Sequence, residues 1–480
     1  MKFGPFRPDA AITADPALLR RAVNVTYIQG GYGPVPSFVR LPTADPVPAQ
    51  PRGGVHGVNA DGVYTSFIGT EFSIQRMSNS GAWTEVFSGA GLPGGDNWSF
   101  AAFGKFIIAS NRNDGMLYYD LDLGGAFTAI PNAPKARIVF QAFGCLFAGD
   151  CDGNNRLLMN SDAYDPFNWS TRLASRQEMQ VGEEILGGGE TGISSAILIQ
   201  RNGVTPMMRG DTRGLLYSMG TTWTGSGAEG PDSILFVRGF ALFVNSKGFF
   251  ATDGGIPIQI GDGKVDQFFL SRVTDISGVQ AAYWPSRNVA VFRYKTGDSS
   301  GPDNQTDDAL LIDLSDQFRF EFTEMTETLA YVVQMATPGY VLDDLDAFGT
   351  LDSMPQIALG SRYWYGGEPR MMGIDADGYP GFLDGPSAPA WVLTSTASQP
   401  VSTLVSRARV NSDGAPTVTI FGSDSLSAPM AAFGPFARAR GDVTPTRARG
   451  KNIAFRVDQP TDWTFMTGID DISASQGGAL

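Results

Sequence analysis

Short apolar runs separated by polar turns recur along most of the chain, and their spacing indicates β-strands. AAFGKFIIASN at 101–111 is followed by QAFGCLFAGDC at 141–151, with the same Phe-Gly pair before an apolar run. A repeat of about 40 to 50 residues is typical of the four-stranded blades of a β-propeller. We therefore predict an all-β chain with a propeller of six blades, or of seven, because 341–359 is hard to place. The repeated two-strand units begin near Gly62, Gly104, Gly144, Gly192, Gly239 and Arg287.

The connections inside these units carry the residues of tight turns. Asn or Asp with Gly lies between strand-like runs at 78–81, 111–115, 201–203 and 245–248. These residues adopt the positive φ that short hairpins need. The segments 111–115 and 150–155 also alternate oxygen-bearing side chains, as calcium loops do, but no glutamate follows at the spacing of an EF-hand. We interpret both segments as turns.

Different patterns flank the repeats. Asp15 and Pro16 predict the N-cap and first turn of a short helix through 17–23, followed by an extended arm. NADGVYTSFIG at 59–69 is matched by DADGYPGFLDG at 375–385, as expected if a strand near the end completes the blade at the start. Period-two alternation in the C-terminal part predicts a small β-sandwich. The predicted domains are an N-terminal arm with a short helix (1–54), the propeller (55–396) and the C-terminal β-sandwich (397–480).

Cysteine use and hydropathy bear on where the chain assembles. Cys145 and Cys151 are six positions apart, which is about 20 Å in a strand at ~3.3 Å per residue, too far for a disulfide. We therefore expect free thiols and a reducing compartment. No apolar run is long enough to cross a membrane, and the first residues lack the apolar core of a signal peptide. We expect no membrane-spanning segment and assembly in the cytoplasm.

Charge is unevenly distributed. The whole chain carries a net charge of -14, which argues against a protein that grips nucleic acid over most of its surface. The stretch 400–456 is basic instead, and its Arg-Ala-Arg tripeptides would each present two guanidinium groups on one face of a strand. This patch is either a solvated face or a docking surface for an acidic partner. The candidate docking residues are Arg407, Arg409, Arg438, Arg440, Arg447 and Arg449.

No catalytic template fits the chain. The single histidine, His56, has no second imidazole to share a zinc site, and no phosphate-binding glycine loop is present. We therefore predict no enzyme activity, no catalytic residue, no metal and no cofactor. The alternative is a glycoside-hydrolysing or carbohydrate-binding propeller, because acids are abundant at 342–352 and Trp364 offers a stacking surface. In addition, SNSGAWTEV at 78–86 resembles a sialidase Asp-box with Ser80 in place of the aspartate.

A co-linear series of segments resembles one known family. The series resembles the propeller tail proteins of bacteriophages and prophages, and is similar to the nozzle or packaged-DNA stabilisation proteins of short-tailed phages. The resemblance runs from about residue 22 to 472. Its segments are AVNVTYIQGGYGPVPSF, WTEVF, WSFAAFGKFIIASN, NAPKARIVFQAFGCLFAGD, DAYDPFNWS, GGIPIQIGDGKVDQFFL, PGYVLDDLDAFGTLDSMPQIALGSRYWYGG and WTFMTGIDDI.

The resemblance implies a structural protein of the virion rather than an enzyme. Copies of such a protein form a ring, with six as the expected number, below the portal and the head-to-tail adaptor. The ring is the nozzle at the end of the DNA channel; it retains packaged DNA and lets it pass on ejection without sequence-specific binding. The implied location is the tail of a virion assembled in the host cytoplasm. We hypothesise that the C-terminal β-sandwich and the arm form the ring platform and that the propeller is distal.

Overall fold

The computed structural model describes residues 1–11, 15–41, 44–78, 81–210, 216–297, 306–316, 319–336, 367–439 and 443–476, with the single positions 345, 349, 350, 354 and 364. The elements with described bounds are almost all β-strands, so the all-β prediction is confirmed. The two exceptions are a short helix, α1 (Asp266–Leu270), and a 3-10 helix, η1 (Pro231–Ser233). No helix in the described ranges has the length and apolar character to cross a bilayer.

The strands fall into three groups along the chain. Four precede the first complete blade: β1 (Leu19–Val23), β2 (Val25–Ile28), β3 (Gly31–Pro34) and β4 (Val39–Arg40). The blades then use β5 (Gly54–Val58), β6 (Tyr64–Gly69), β7 (Ser73–Met77), β8 (Trp83–Ser88), β9 (Ser99–Phe103), β10 (Phe106–Asn111), β11 (Gly115–Asp120), β12 (Thr128–Ala129), β13 (Ala136–Ala142), β14 (Cys145–Cys151), β15 (Asn154–Asn160), β16 (Ser175–Glu178), β17 (Ile185–Gly192), β18 (Ser195–Gln200), β19 (Gly203–Arg209), β20 (Tyr217–Met219), β21 (Trp223–Thr224), β22 (Leu235–Val237), β23 (Phe240–Asn245), β24 (Gly248–Thr252), β25 (Ile258–Gln259), β26 (Gln280–Trp284), β27 (Val289–Tyr294), β28 (Thr306–Asp313), β29 (Glu321–Leu329), β30 (Tyr331–Met335), β31 (Arg370–Ile374) and β32 (Pro380–Phe382). The last group is β33 (Ala390–Thr394), β34 (Ala397–Ser412), β35 (Thr417–Ser423), β36 (Ala431–Ala437), β37 (Thr444–Gln459) and β38 (Met466–Gln476).

The blades form a closed ring. In the described residues, six are separate antiparallel sheets: β5–β8, β9–β12, β13–β16, β17–β21, β22–β25, and β30–β32 with β4. The meander β26–β29 lies in the ring between β22 and β30 and also forms one end of a larger sheet. The innermost strands contact each other in the order β5, β9, β13, β17, β22, β26, β30 and back to β5. The prediction of a β-propeller with six blades, or seven, is confirmed. The six predicted units are β5–β8, β9–β12, β13–β16, β17–β21, β22–β25 and the meander β26–β29, and the sheet β30–β32 with β4 is the additional blade.

The ring closes through the N-terminal segment. Strand β4 pairs with β32, with Arg40 opposite Gly381 and Val39 opposite Phe382. The guanidinium of Arg40 contacts the carboxylates of Asp375 and Asp377 in the preceding turn. The sequence match between 59–69 and 375–385 had predicted the opposite exchange, and that prediction was wrong. Both matched segments are hairpins of their own blades, and an early strand completes the last blade.

The repeated Phe-Gly pair lies at the hairpin between the first two strands of neighbouring blades, where Phe103 ends β9 and Gly104 begins the turn. Phe143 and Gly144 are the two turn residues between β13 and β14, with φ of 54° and 77°. Two consecutive positive φ values are the geometry of a tight hairpin that follows the twist of the strands. The side chain of Phe143 is buried between its own blade and the β17–β21 blade, and Phe103 is buried between the β9–β12 and β13–β16 blades. The repeat therefore encodes hairpin turns and packing between blades.

The predicted N-terminal helix is wrong. Residues Leu19–Val23 form strand β1, which pairs antiparallel with β33. Asp15 accepts a hydrogen bond from the backbone N–H of Ala17, so the acid stabilises a turn instead of capping a helix. Leu19 and Ala22 are fully buried in a core shared with distant strands. That tertiary burial outweighs the modest helix propensity of the segment, which is worth only tenths of a kcal/mol per residue.

The C-terminal strands belong to one large sheet. Its order is β2-β3-β38-β34-β37-β33-β1-β29-β28-β27-β26, and β35 and β36 are attached to the other edge of β37. Val405 and Phe455 share a hydrophobic core with Phe249 and Phe292 of the ring. The strands predicted in this region are present, and β36 is an addition. The same sheet and the same hydrophobic core run from the ring into the C-terminal strands. The predicted domain boundaries stay predictions.

The two cysteines are buried and free, as predicted. A bulge between Gly149 and Cys151 changes the register of β14 against β15. As a result, Cys145 packs between the β13–β16 and β17–β21 blades, and Cys151 packs on the side of the β9–β12 blade. Burial raises the pKa of the Cys145 thiol to about 12, and burial also raises the pKa of Cys151. Both groups are therefore neutral thiols at physiological pH.

We expect neither thiol to react with iodoacetamide in the folded protein at pH 8, because only the thiolate is a nucleophile. Both should react after unfolding in denaturant, and mass spectrometry of the labelled chain measures this. Cys145→Ala should lower the free energy of unfolding by about 1 kcal/mol, since it removes one buried atom from an apolar site. Rapid labelling of the native protein, or loss of folding in Cys145→Val, would show that Cys145 is more than a packing residue.

The pairing of β4 with β32 depends on a close backbone approach at Gly381. A Cβ atom there would overlap the carbonyl oxygen of Val39 and lie 2.6 Å from the ring of Phe38. We expect Gly381→Ala to displace β4 and to lower the free energy of unfolding by about 1–3 kcal/mol. Limited proteolysis should then cut the N-terminal segment faster than in the parent protein. Gly94→Ala is the matched control, because nothing lies within 4 Å of a Cβ atom at that position; equal proteolysis of the two variants would contradict the closure.

Candidate functional site

The innermost strands enclose a polar channel along the axis of the ring. The channel encloses about 310 Å³, and a second cavity of about 620 Å³ that shares four of its lining residues adjoins it; we call this second cavity the channel mouth. Volumes of this size are typical of small-molecule sites. The polar and aromatic residues that line both the channel and its mouth are Asn97, Asp232, Gln280 and Tyr331.

Asp232 is the central acid of this channel. It lies in η1, just before β22, and its carboxylate accepts a hydrogen bond from the amide of Asn97. Protein surrounds the carboxylate except on the side of the lumen, and this burial raises the pKa of Asp232. The charges of Arg137 and Arg52 act in the opposite direction but do not offset the burial. A carboxyl group with a raised pKa in a cleft is a candidate for a functional site.

A network of ion pairs borders the channel and joins four blades. Arg137 contacts Glu184 at 2.5 Å and Asp96 at 3.2 Å. Arg112 contacts Asp96 at 3.1 Å and also contacts Asp150. Arg201 extends the network, since it lies 2.8 Å from Glu184 and 3.3 Å from Glu229. Because its acids and guanidinium groups come from four blades, the network fixes these blades relative to each other.

The predicted docking residues only partly come together. Arg407 and Arg409 on β34 lie on the same exposed sheet face as Arg447 and Arg449 on β37. Arg407 is paired with Asp471 at 3.0 Å, and Arg409 lies opposite Asp470. Arg438 is separate from this face, because its guanidinium donates to the carbonyl oxygens of Ser412 and Gly414. Arg440 lies outside the described residues.

The remaining basic side chains form a row on β37. Arg447, Arg449 and Lys451 occupy alternate exposed positions. Two residues of a strand, at ~3.3 Å each, separate neighbours in the row by about 6.6 Å along one face. In the described part of the chain none of the three forms an ion pair; Arg449 donates to the hydroxyl of Ser402 at 3.1 Å. We call these three residues the basic row, and it is the part of the predicted patch that stays available to an acidic partner.

His56 lies at the seam of the ring. Its Nδ1 is 2.9 Å from the carbonyl oxygen of Gln334, which joins the first blade, on β5, to β30 of the last. Burial lowers the pKa of His56. These contacts assign the histidine a packing role at the closure.

The other sequence candidates are turns or lie outside the described residues. Asn111 Oδ1 accepts hydrogen bonds from the N–H groups of Asn113 and Asp114, as in a turn. Ser80 and the acids of 342–352 lie outside the described residues, and Trp364 is a buried single position. In the ranges that the structure covers, no three His, Cys, Asp or Glu side chains are arranged to hold a metal ion.

Reading the sequence missed the channel residues. Asp96, Arg137, Glu184 and Asp232 all lie at or just before the start of an innermost strand, in four successive blades. Their spacing therefore follows the blade repeat itself. A comparison of equivalent repeat positions, rather than of the apolar runs, would have shown a charged residue at this position in four successive units.

Comparisons with known proteins show similarity of fold only. No family model and no curated protein matches the chain. A chain of the mitotic checkpoint complex shares 9% identity with it, covers 62% of this chain and 88% of its own, and has a TM-score of 0.38. The β-propeller domain of Myceliophteria thermophila Cps50 (Swd1) shares 8%, covers 62% and 95%, and scores 0.37. Dihydro-heme d1 dehydrogenase NirN, in complex with DHE, shares 11%, covers 84% and 68%, and scores 0.37.

TM-scores this low do not support a conclusion about function. The class of protein, a β-propeller with a channel site, follows from the strand pairing and the contacts described above.

Glu184 is the acid that accepts from the most guanidinium groups in the network. We expect Glu184→Gln to lower the free energy of unfolding by about 2 kcal/mol, because charge-assisted hydrogen bonds to half-buried arginines are lost. Chemical denaturation measures the change. Glu178→Gln is the control, since Glu178 is exposed on β16 without an ion pair in the described residues. Equal effects of the two substitutions would mean that the network does not stabilise the ring.

The ionised carboxylate of Asp232 should destabilise the folded protein at neutral pH. A carboxyl whose pKa is raised on folding destabilises the native state as pH rises from the ordinary value of 3.8 through the folded value. We therefore expect Asp232→Asn to raise the free energy of unfolding at pH 7, with the difference shrinking as the pH falls towards 4. Denaturant titrations across this range, with the exposed Asp61→Asn as control, measure it. A loss of stability at pH 7 would show that the carboxylate is held by more than Asn97.

Proposed function

We propose that this chain is a structural protein of a phage tail, present as a ring of copies, six being the expected number, at the end of the DNA channel. In this role it retains packaged DNA and lets it pass on ejection. The observation that carries the proposal is the co-linear order of the segments between residues 22 and 472 that resemble the nozzle proteins. The β-propeller fold is compatible with it.

The channel of the propeller is too small to be the DNA conduit. It encloses only about 310 Å³. A space of this size holds a small molecule, not a length of duplex DNA. In the proposed ring, DNA therefore passes between copies of the chain, and each propeller is a closed block in the wall. A net charge of -14 favours passage, since an acidic wall does not bind the phosphate backbone.

The large sheet offers the surfaces for ring contacts. In the described residues β36 pairs only with β35, so its second edge is open to another strand, and most of its side chains are exposed. The basic row on β37 lies in the same sheet. Head-to-tail contacts between different surfaces generate closed rings when the rotation closes. We place the large sheet towards the adaptor and the neighbouring copies, and the propeller at the distal end.

Particles made from the genome that encodes this chain test the proposal. A cryo-EM reconstruction should show the chain around the tail axis, and a position away from the axis would overturn the conduit role. The triple charge reversal of the basic row, Arg447→Glu with Arg449→Glu and Lys451→Glu, should reduce the DNase-protected DNA per particle by about tenfold or more. Arg172→Glu with Arg176→Glu, on exposed positions of the β13–β16 blade, is the control and should leave protection unchanged. Binding to a glycan array by a chain absent from particles would favour the carbohydrate alternative instead.

A further inference from the structure

Hydrogen-bond acceptors without partners face the channel mouth. One oxygen of the Asp232 carboxylate accepts from Asn97, and the other accepts from no residue in the described ranges. The side-chain oxygen of Gln280 also has no partner there, but it is closed off from the cavity and is not available to a ligand. The amide N–H of Asn97 donates to Asp232, so the side-chain oxygen of Asn97 is a second acceptor. A buried acceptor without a partner costs about 1–3 kcal/mol, which a ligand that donates hydrogen bonds would recover.

A cation faces the same cavity without neutralising Asp232. The guanidinium of Arg52 lines the channel mouth and, in the described residues, reaches only the oxygen of Gln50, at 3.4 Å. Its charge acts on Asp232, yet the two groups form no ion pair in the described ranges. The mouth therefore presents an anion and a cation separated by a gap. Such a pair fits a ligand with both charges.

We propose that the channel mouth binds a small zwitterion of the α-amino-acid type. Its ammonium group would donate to Asp232 and Asn97, and its third N–H would remain directed to the solvent of the open mouth. Its carboxylate would accept two hydrogen bonds from Arg52, the geometry that a guanidinium favours. A cavity of about 620 Å³ also has room for a side chain, beside Ala330 and Tyr331.

Other ligand classes fit these groups less well. A divalent cation prefers several carboxylate oxygens. Besides Asp232 the mouth has Asp275, one oxygen of which already accepts from Ser277, and the charges of Arg52 and Arg137 beside Asp232 would repel a cation. A simple anion would be repelled by Asp232. A neutral polar molecule could make the hydrogen bonds but would leave both charges unneutralised.

Calorimetric titration of the full chain tests the proposal, with glycine and the other nineteen proteinogenic amino acids as probes. At least one of these should bind, and Asp232→Asn and Arg52→Gln should each weaken it at least tenfold, the equivalent of about 1.4 kcal/mol. Ethylammonium and acetate, which carry one charge each, should bind at least tenfold more weakly than the amino acid. Asp61→Asn and Arg176→Gln are matched exposed controls and should bind as the parent does.

Each other outcome would overturn the proposal. Absence of binding by all twenty amino acids excludes this ligand class. If ethylammonium binds as tightly as the amino acid does, the mouth recognises only the ammonium group. Unchanged affinity in the two channel variants would place the ligand elsewhere. The denaturation measurements on Asp232→Asn show whether that variant is folded, and Asn97→Ala provides a second variant that should also weaken binding. The result does not depend on where the protein is located, so it is separate from the tail proposal.

Discussion

The ring depends on the hydrogen bonds between a two-residue strand near the N-terminus and the last blade. Without β4, the outer edge of β32 would be open, and the last blade would lack its fourth strand. Backbone hydrogen bonds continue this pairing on both sides: the N–H of Leu41 donates to Pro380, and the N–H of Ala388 donates to Val35. A propeller hides its blade faces only when the circle is complete. The same short pairing therefore protects the apolar faces of the first and last blades.

The position of β4 in the last blade also determines the path that the rest of the N-terminal segment takes. Before reaching β4, the chain supplies β1 to the large sheet, and its first residues run beside β38, where the N–H of Ile469 donates to Met1. The segment thus crosses from the C-terminal strands to the last blade. Leu19 and Tyr32 are fully buried on the way. The N-terminal segment therefore connects the C-terminal strands to the ring, and these parts of the chain share one hydrophobic core.

The elements predicted correctly from the sequence are those determined by local chemistry. Predicted turn residues such as Gly115 and Gly248 adopt positive φ, and hairpins lie at both positions. The failures have a common cause, because they depend on partners hundreds of residues away. Leu19–Val23 becomes a strand through β33, and the closing strand is chosen by its fit to β32. The charged residues around the channel were missed for the same reason, since they come from four different blades and no single segment contains them all.

The buried charges of the ring act in two different ways. Glu184 is surrounded by guanidinium groups, so its charge is neutralised and the ion pairs fix neighbouring blades. Asp232 forms no ion pair in the described residues. Its buried charge destabilises the folded state, and the rest of the fold offsets this. It lies beside β22, whose blade packs through Val237 and Phe249 into the core of the large sheet. A ligand that joins Asp232 to Arg52 would therefore link this blade to the start of the first blade across the channel, and would tighten the ring next to the sheet on which the proposed contacts between copies lie.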